Sequence, residues 1–431
     1  MSDPRQKTQK SLKLDRRYIW MGLGLLSLLI NAIFRSNPYF TEVVYSRGIF
    51  LLFRWIWDYT LGLIPLPLLY VIGPLLIFFL IRSWRKGKPH RQERPVINRI
   101  GSLLISLLGL AGAAVFLFYF MWGFNYNRLP VSQQLKLTIT ELTDEEVEDE
   151  YNRVTERLLE AKKDLGLLSS DIFRQAFIEK KPEWKDELEE AFADSSGVSY
   201  RDFQIAHEEE FIELYKSDFF LDISDSVNAH IYNFKELQNE VREELKESLI
   251  QYNYPVPGRP KAIVLQPKGF LLQLGAKGIY IPYVGQGHVD AGITRVSIPS
   301  TMAHEMAHAY GFGDEGLCNF WAYLACIKSE SPLIRYSGYF NYWRHVANLY
   351  ASRDPKGFKM AYKKIPLSIL VDLNANRNVN IKYPGFFPKF SQEFYEEYLK
   401  FQGIEEGRKS YSMVVSYVVA QTKKQANSPQ E

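Results

Sequence analysis

The stretch "PSTMAHEMAHAYGFGDEGLCNFWAYLAC", Pro299 to Cys326, decides how this 431-residue chain is read. It contains His-Glu-x-x-His, with His304 and His308 four residues apart. On a helix that spacing projects two imidazoles from one face and sets Glu305 beside them. Pro299 stands where such a helix would start, and Gly311 where it would stop. Two imidazoles are too few for a catalytic zinc site, which takes three protein ligands and leaves the fourth position to water.

Two residues compete for the third position. Asp314 completes His-Glu-x-x-His-x-x-Gly-x-x-Asp, which resembles the metzincin arrangement. Glu315 opens Glu-x-x-x-Asn with Asn319, which resembles the gluzincin arrangement, where the Asn supports a ligand histidine. The helix signals favour Glu315. "GDEGLCNFWAYLACIK" is apolar nearly all round and reads as a buried second helix with Asp314 at its N-cap. A capping carboxylate is engaged with backbone N–H groups, whereas Glu315 in the first turn is free to face a metal. Asn319, one turn on, can then fix a histidine ring.

Before the motif, "KAIVLQP", "GIYIPYV" and "AGITRVSIP" are short, β-branched and punctuated by Gly and Pro, so they predict a small sheet. The segment "HVDAGITRVSIP" is expected to offer an edge to an extended peptide. His288 and Asp290 within it read as loop or strand polar groups rather than ligands. Tyr310, Tyr336, Tyr339, Arg344 and His345 are unranked candidates for stabilising an oxyanion.

The N-terminal third differs in kind. Tyr18–Phe34, Tyr59–Ile81 and Ile100–Asn127 carry no charge over 17, 23 and 28 residues, which predicts three transmembrane helices. Six basic residues from Arg5 to Arg17 precede the first, and seven from Arg82 to Arg99 separate the second and third. Only Arg35, Arg47 and Arg54 lie between the first and second. That bias predicts a cytoplasmic N-terminus and an extracytoplasmic chain after Arg128. "FLFYFMWGFNYNR" fits an exit through the aromatic interface. The net charge of +3 follows largely from these flanking clusters, so no nucleic-acid partner is expected. Cys318 and Cys326, eight helical residues apart, would stand about 12 Å from each other, too far for a disulfide.

The reading is a mainly α chain with a small β-sheet: a membrane anchor over 1–128, a helical extracytoplasmic segment over 129–254, a zincin-like α+β metal-binding domain over 255–422, and a disordered tail over 423–431. Within the helical segment Thr143 and Glu146 have the spacing of a capping box, and Val147, Tyr151, Val154 and Leu158 recur at helical period.

"GIYIPYVGQGHVDAGITRVSIPSTMAHEMAHAYGFGDEGLCNFWAYLAC", with the N-terminal spans and "YLKFQGIEEGRKSYSMVVSYVV", resembles a bacterial domain-of-unknown-function family of membrane-anchored, zincin-like proteins. The resemblance covers nearly the whole chain. It implies a Glu at the place of Glu315, where the place of Asp314 varies. This chain carries Gly316-Leu317-Cys318 where relatives often have a second acid and Ala, and Gln286 where they have a loop Glu.

These residues predict an extracytoplasmic zinc metallopeptidase acting on a peptide or protein, with His304, His308 and Glu315 holding Zn²⁺ and Glu305 as general base. The alternative is a zinc-stabilised envelope sensor or scaffold without hydrolysis. Spans lacking an intramembrane charge give a transporter little support. The motif lies far from any span, which argues against intramembrane-type proteolysis.

Overall fold

A computed structural model of the chain describes residues 15–86, 96–165, 170–193, 198–217, 219–220, 222–223, 233–386, 388–402, 404 and 412–427. Arg5, Lys7, Lys10, Lys13, Lys88, Arg91 and Arg94 of the basic clusters lie outside them.

Among the described residues the N-terminal part holds α1 (Arg16–Ser36), α2 (Phe50–Tyr59), which a π-helical stretch Thr41–Ile49 leads into, α3 (Leu69–Lys86) and α4 (Val96–Met121). Among the described residues two helices are long and apolar enough to cross a membrane, Arg16–Ser36 and Ile100–Met121. The expected span over Tyr59–Ile81 is corrected. Helix α2 ends at Tyr59, the chain turns through Leu61–Leu63, and α3 begins only at Leu69. Pro65 and Pro67 explain the break, since each lacks an N–H and bars its predecessor from helix. Helix α3 then runs past the apolar stretch into Arg82, Arg85 and Lys86.

Helices α1 and α4 pack in parallel. Arg17 Nη1 donates to Ser102 Oγ and Ser106 Oγ, both at 3.2 Å, and the ring of Phe34 meets that of Phe124 at 4.7 Å. Between these points the backbones nearly touch: a Cβ on Gly112 would lie 2.5 Å from Trp20 O, and one on Gly24 would lie 2.7 Å from Gly112 Cα. Small residues permit this approach, which gives the pair its van der Waals contact.

The part after the N-terminal helices includes α5 (Asp144–Asp164), whose capping box is formed: Glu146 N–H donates to Thr143 Oγ1 at 3.2 Å and Thr143 N–H to Glu146 Oε2 at 2.8 Å. Short helices at Ser170–Lys180, Lys185–Ala193, Val198–Ala206 and Glu208–Lys216 lead to α6 (Phe234–Gln251). Three strands follow, β1 (Ala262–Leu265), β2 (Gly278–Ile281) and β3 (Gln286–Asp290), in the order β1-β3-β2. Strand β3 is parallel to β1, with Ala262 opposite Gly287, and antiparallel to β2, with Gly278 opposite Val289.

The third strand is displaced from its expected place. "AGITRVSIP" forms a turn and the 3₁₀ segment Arg295–Ser297, and its apolar members Ile293 and Val296 are buried in the core. Asp290 explains the end of β3. Its carboxylate accepts the N–H groups of Gly269 (2.7 Å), Leu271 (2.6 Å), Leu272 (3.2 Å) and Gly292 (2.6 Å), which turns the chain. Because β3 is central, it has no open side for a substrate, and the edge beside the motif is β2.

The helices α7 (Ile298–Ala309), α8 (Glu315–Lys328), α9 (Pro332–Arg353), α10 (Leu367–Lys382), α11 (Pro388–Phe401) and α12 (Met413–Asn427) complete the fold. Residues 423–427 of the expected disordered tail are therefore helical, with Lys423 paired to Glu146, and 428–431 lie outside the described residues. One apolar core joins α5 and α6 to the sheet and α7–α9. It encloses a buried ion pair, Lys162 Nζ to Asp372 Oδ2 at 2.7 Å, on which Tyr336 also donates at 2.6 Å.

Glycine-to-leucine substitutions test the α1–α4 contact. Gly112→Leu is expected to force the helices apart and lower the thermal stability of the purified full-length chain, whereas Gly101→Leu, with nothing within 4 Å of its Cβ, should leave it unchanged. Thermal denaturation of the two variants beside the parent checks this; equal stability would contradict the contact.

Candidate metal centre

Helix α7 places the motif. Pro299 occupies its first turn, and Gly311, at φ 84°, ends it by letting Phe312 N–H reach back to Ala307 O at 3.3 Å. The reversal brings α8 against α7 with Asp314 as its N-cap, Oδ1 accepting Leu317 N–H at 2.6 Å. Glu315, the first residue of α8, then faces the histidines. Its Oε2 stands 3.0 Å from His304 Nε2 and 3.4 Å from His308 Nε2, and the two Nε2 atoms are 3.1 Å apart.

The outer nitrogens fix the tautomers. His308 Nδ1 lies 2.8 Å from Phe312 O, and a carbonyl only accepts, so Nδ1 carries the proton. His304 Nδ1 lies 2.9 Å from Asn319 Oδ1 in the same sense. Neutral imidazoles so held aim two Nε2 lone pairs at each other and at a carboxylate oxygen. Three lone-pair atoms so close repel unless a metal cation or a proton lies among them; without a metal a proton does so, since against the effect of burial Cys318 and Glu315 raise His308 well above its ordinary value. Ligand atoms arranged tetrahedrally at zinc bond lengths of about 2.0–2.1 Å stand about 3.3 Å apart, the spacing found here. His304, His308 and Glu315 thus fit a metal ion, and among the described residues this group contains three candidate ligands and no fourth. Asp314 is not in it. Cys318 Sγ lies 3.4 Å from His308 Nδ1, on the far side of the ring, and donates to Phe312 O.

The electrostatics follow the packing. Burial works against the Glu315 carboxylate, yet the facing imidazoles hold it well below the usual carboxylate range, and Tyr395 of α11 donates to its other oxygen at 2.6 Å. Glu305 is buried beside the cluster, under the sheet: a Cβ on Gly287 would stand 2.7 Å from its Cβ, and one on Gly278 would overlap its Oε1. Its Oε2 has no hydrogen-bond partner among the described residues. Burial pushes the Glu305 carboxyl up to about 7, against the pull of His304 and His308.

Of the other residues singled out in the sequence, Gln286 holds Leu68 N–H at 3.0 Å, His288 is buried in the central strand, and Asp290 caps the backbone. Tyr336 is committed to Asp372, Tyr339 packs 6.1 Å from Tyr323, and Tyr310 is buried near Arg54 and Asp58. Arg344 and His345 do reach the site's surroundings. His345 shares a small pocket with Asn319, and burial, together with Arg344, Lys277 and His304, pushes it down to about 3. Lys277, next to Gly278, is pushed well below its ordinary value by burial and by Arg344. Neither cation has an ion-pair partner among the described residues. Sequence reasoning missed Lys277 and Tyr395, because nothing local marks a residue that reaches a site from another element.

The N-terminal helices form one wall of the centre. Trp122 Nε1 donates to His308 O at 2.8 Å, and Arg128 Nη1 to Gly311 O at 3.0 Å. Arg54 and Arg47, counted above as loop charges, are paired. Arg54 Nε holds Asp58 Oδ2 at 2.8 Å and its Nη1 holds Gly285 O at 2.8 Å, while Glu42 takes Arg47 and Arg128 at 2.8 and 2.7 Å. Phe34, Tyr45, Phe50, Trp57, Tyr119, Trp122 and Phe124 share a buried cluster with Tyr280 of β2 and Ala309 of α7.

Residues 45–419 match the model of a family described as protein of unknown function, DUF3810. The chain belongs to that family. The DUF3810 unit begins inside this aromatic junction and ends in α12, so it contains the centre together with α2–α4. No curated protein and no solved structure matches the chain.

Equilibrium Zn²⁺ titration of single variants tests the ligand geometry. Glu315→Ala is expected to lose most of its affinity, Asn319→Ala to weaken it by about 10- to 100-fold, and Asp314→Ala to keep the metal at a loss of about 0.5–2 kcal/mol of stability. Metal loss in the Asp314 variant with retention in the Glu315 variant would contradict the assignment.

Proposed function

We propose that this DUF3810 chain is a membrane-anchored zinc metallopeptidase whose centre faces the extracytoplasmic side. His304, His308 and Glu315 would hold Zn²⁺, and Glu305 would move the proton. The observation that carries the reading is the Glu305 carboxyl, buried with Oε2 lacking a partner among the described residues, beside a cluster of three candidate ligands rather than four. A purely structural zinc site is closed by four protein ligands and has no use for such a base.

A zinc ion held there would acidify a water molecule and polarise the scissile carbonyl. Glu305 takes one proton from the attacking water as its oxygen bonds to the carbonyl carbon, and returns it to the nitrogen as the C–N bond breaks. One water is consumed, and a carboxylic acid and an amine are released, which ionise to a carboxylate and an ammonium by passing the water's second proton between them. Asn319 and Phe312 O hold the imidazoles in register through Nδ1. The open edge of β2, which touches Glu305 at Gly278, is suited to align an extended peptide. His304 and His308 keep 12% and 10% of their side chains exposed, which leaves an approach from that side.

For the anchor, the parallel packing of α1 and α4 is informative. The two helices that are long and apolar enough to cross a membrane would do so in the same direction, with Arg17 at the start of the first. Both ends of α1 and α4 then take the orientation expected from the basic clusters.

Glu305→Gln separates base from ligand. The reconstituted variant is expected to bind Zn²⁺ like the parent and to generate new amino termini in a mixture of unfolded proteins at least ~100-fold more slowly. Undiminished hydrolysis would contradict the mechanism.

A further inference from the structure

The centre, remote from the spans in sequence, adjoins one in space. Trp122, the residue that follows α4, donates to the carbonyl of His308 itself at 2.8 Å. The turn between β2 and β3 reaches further. Tyr283 OH donates to Ala114 O at 3.2 Å. Ala114 lies seven residues before Met121, about 10 Å back along the helix at 1.5 Å per residue. The turn therefore lies alongside the apolar part of α4 rather than above its exit. Strand β2 starts at Gly278, against Glu305, and runs into that turn, a length of about 13 Å for its four residues.

The surroundings of the centre are apolar where a soluble enzyme's would be wet. Phe270, Leu274, Ile279, Tyr283, Phe386 and Phe394 are all exposed. They sit on segments tied to the anchor or the site. Tyr70, in the first turn of α3, accepts Gln266 N–H at 2.6 Å; Phe386 N–H donates to Gln273 O at 2.9 Å beside Leu274; and Phe394 precedes the tyrosine that holds Glu315. Soluble proteins seldom leave large apolar area uncovered, and here these side chains sit on segments bonded to α3, to α4 or to the site.

From these contacts we infer that the mouth of the centre lies against the outer surface of the bilayer, and that its substrates are polypeptides held in the same membrane, cut just outside their own span or lipid anchor. The substrate class rests on the metallopeptidase reading; the placement does not. A chain paired along the free edge of β2 has one end at the lipid and the other at Glu305, so the scissile bond falls within about four to eight residues of the bilayer. The exposed aromatic side chains of these segments would then lie at the headgroup level, where aromatic residues gather. Polypeptides free in the surrounding water would have to displace lipid to reach the same edge.

Two measurements on the full-length chain in phosphatidylcholine–phosphatidylglycerol vesicles test this. Cys318 and Cys326 are buried, so a spin label reports only an introduced cysteine. Labels at Tyr283→Cys and Phe394→Cys are expected to collide with oxygen several-fold more than with a water-soluble nickel chelate, and a label at Ile205→Cys, on the exposed face of a helix away from the anchor, the reverse. Chelate-accessible labels at 283 and 394 overturn the placement whatever the activity. In the second measurement one randomised segment is presented either fused to a single apolar span in the same vesicles or as a soluble peptide. The tethered form is expected to be cut at least ~10-fold faster, close to its span. Equal cutting of both forms overturns the substrate class. Cutting of neither, with lipid-exposed labels, contradicts the metallopeptidase reading and the substrate class resting on it while the placement stands.

Discussion

Three lone-pair atoms, two imidazole nitrogens and a carboxylate oxygen, are held within 3.4 Å of one another in a nearly buried site. That arrangement is unfavourable without a metal cation or a shared proton, and much of the surrounding structure serves to hold it. Gly311 in the left-handed region turns α8 back onto α7; Asp314 spends its carboxylate on the new helix's N-terminus and so leaves Glu315 to face inward. Asn319 and the Phe312 carbonyl occupy the outer nitrogens and leave the inner ones bare. Across the cluster, two strand residues without side chains, Gly278 and Gly287, make room for Glu305.

The second constraint is the junction with the N-terminal helices. Arg54–Asp58 and Glu42–Arg128 are buried ion pairs, and their backbone contacts to Gly285 and Gly311 clamp both ends of the site. Such pairs add little net stability, but removing one partner strands a buried charge at about 3–5 kcal/mol. The N-terminal helical unit is therefore a structural wall of the centre, in keeping with a family match that begins at Tyr45 and runs through both.

What was legible in the sequence was local. The helix of the motif shows itself in Pro299 and Gly311, the second helix in Asp314, the capping box in Thr143 and Glu146, and the lone, buried cysteines in their spacing. The failures were non-local or turned on side-chain capture. Ile293 and Val296 look like a strand but serve the core, because Asp290 gathers four N–H groups and ends β3 first. The apolar run over 59–81 hides a break at two prolines. Tyr395 and Lys277 come to the site from distant elements, and no pattern around Trp122 announces that it touches the carbonyl of a motif histidine.

The central claim is that His304, His308 and Glu315 share one zinc ion with an open position. X-ray absorption at the zinc edge of the purified full-length chain, loaded with one equivalent of Zn²⁺, tests it most directly. The account predicts a shell of nitrogen and oxygen at about 2.0–2.1 Å with the outer-shell signature of two imidazoles. A sulfur ligand at about 2.3 Å, a single imidazole, or failure to retain the metal would contradict it.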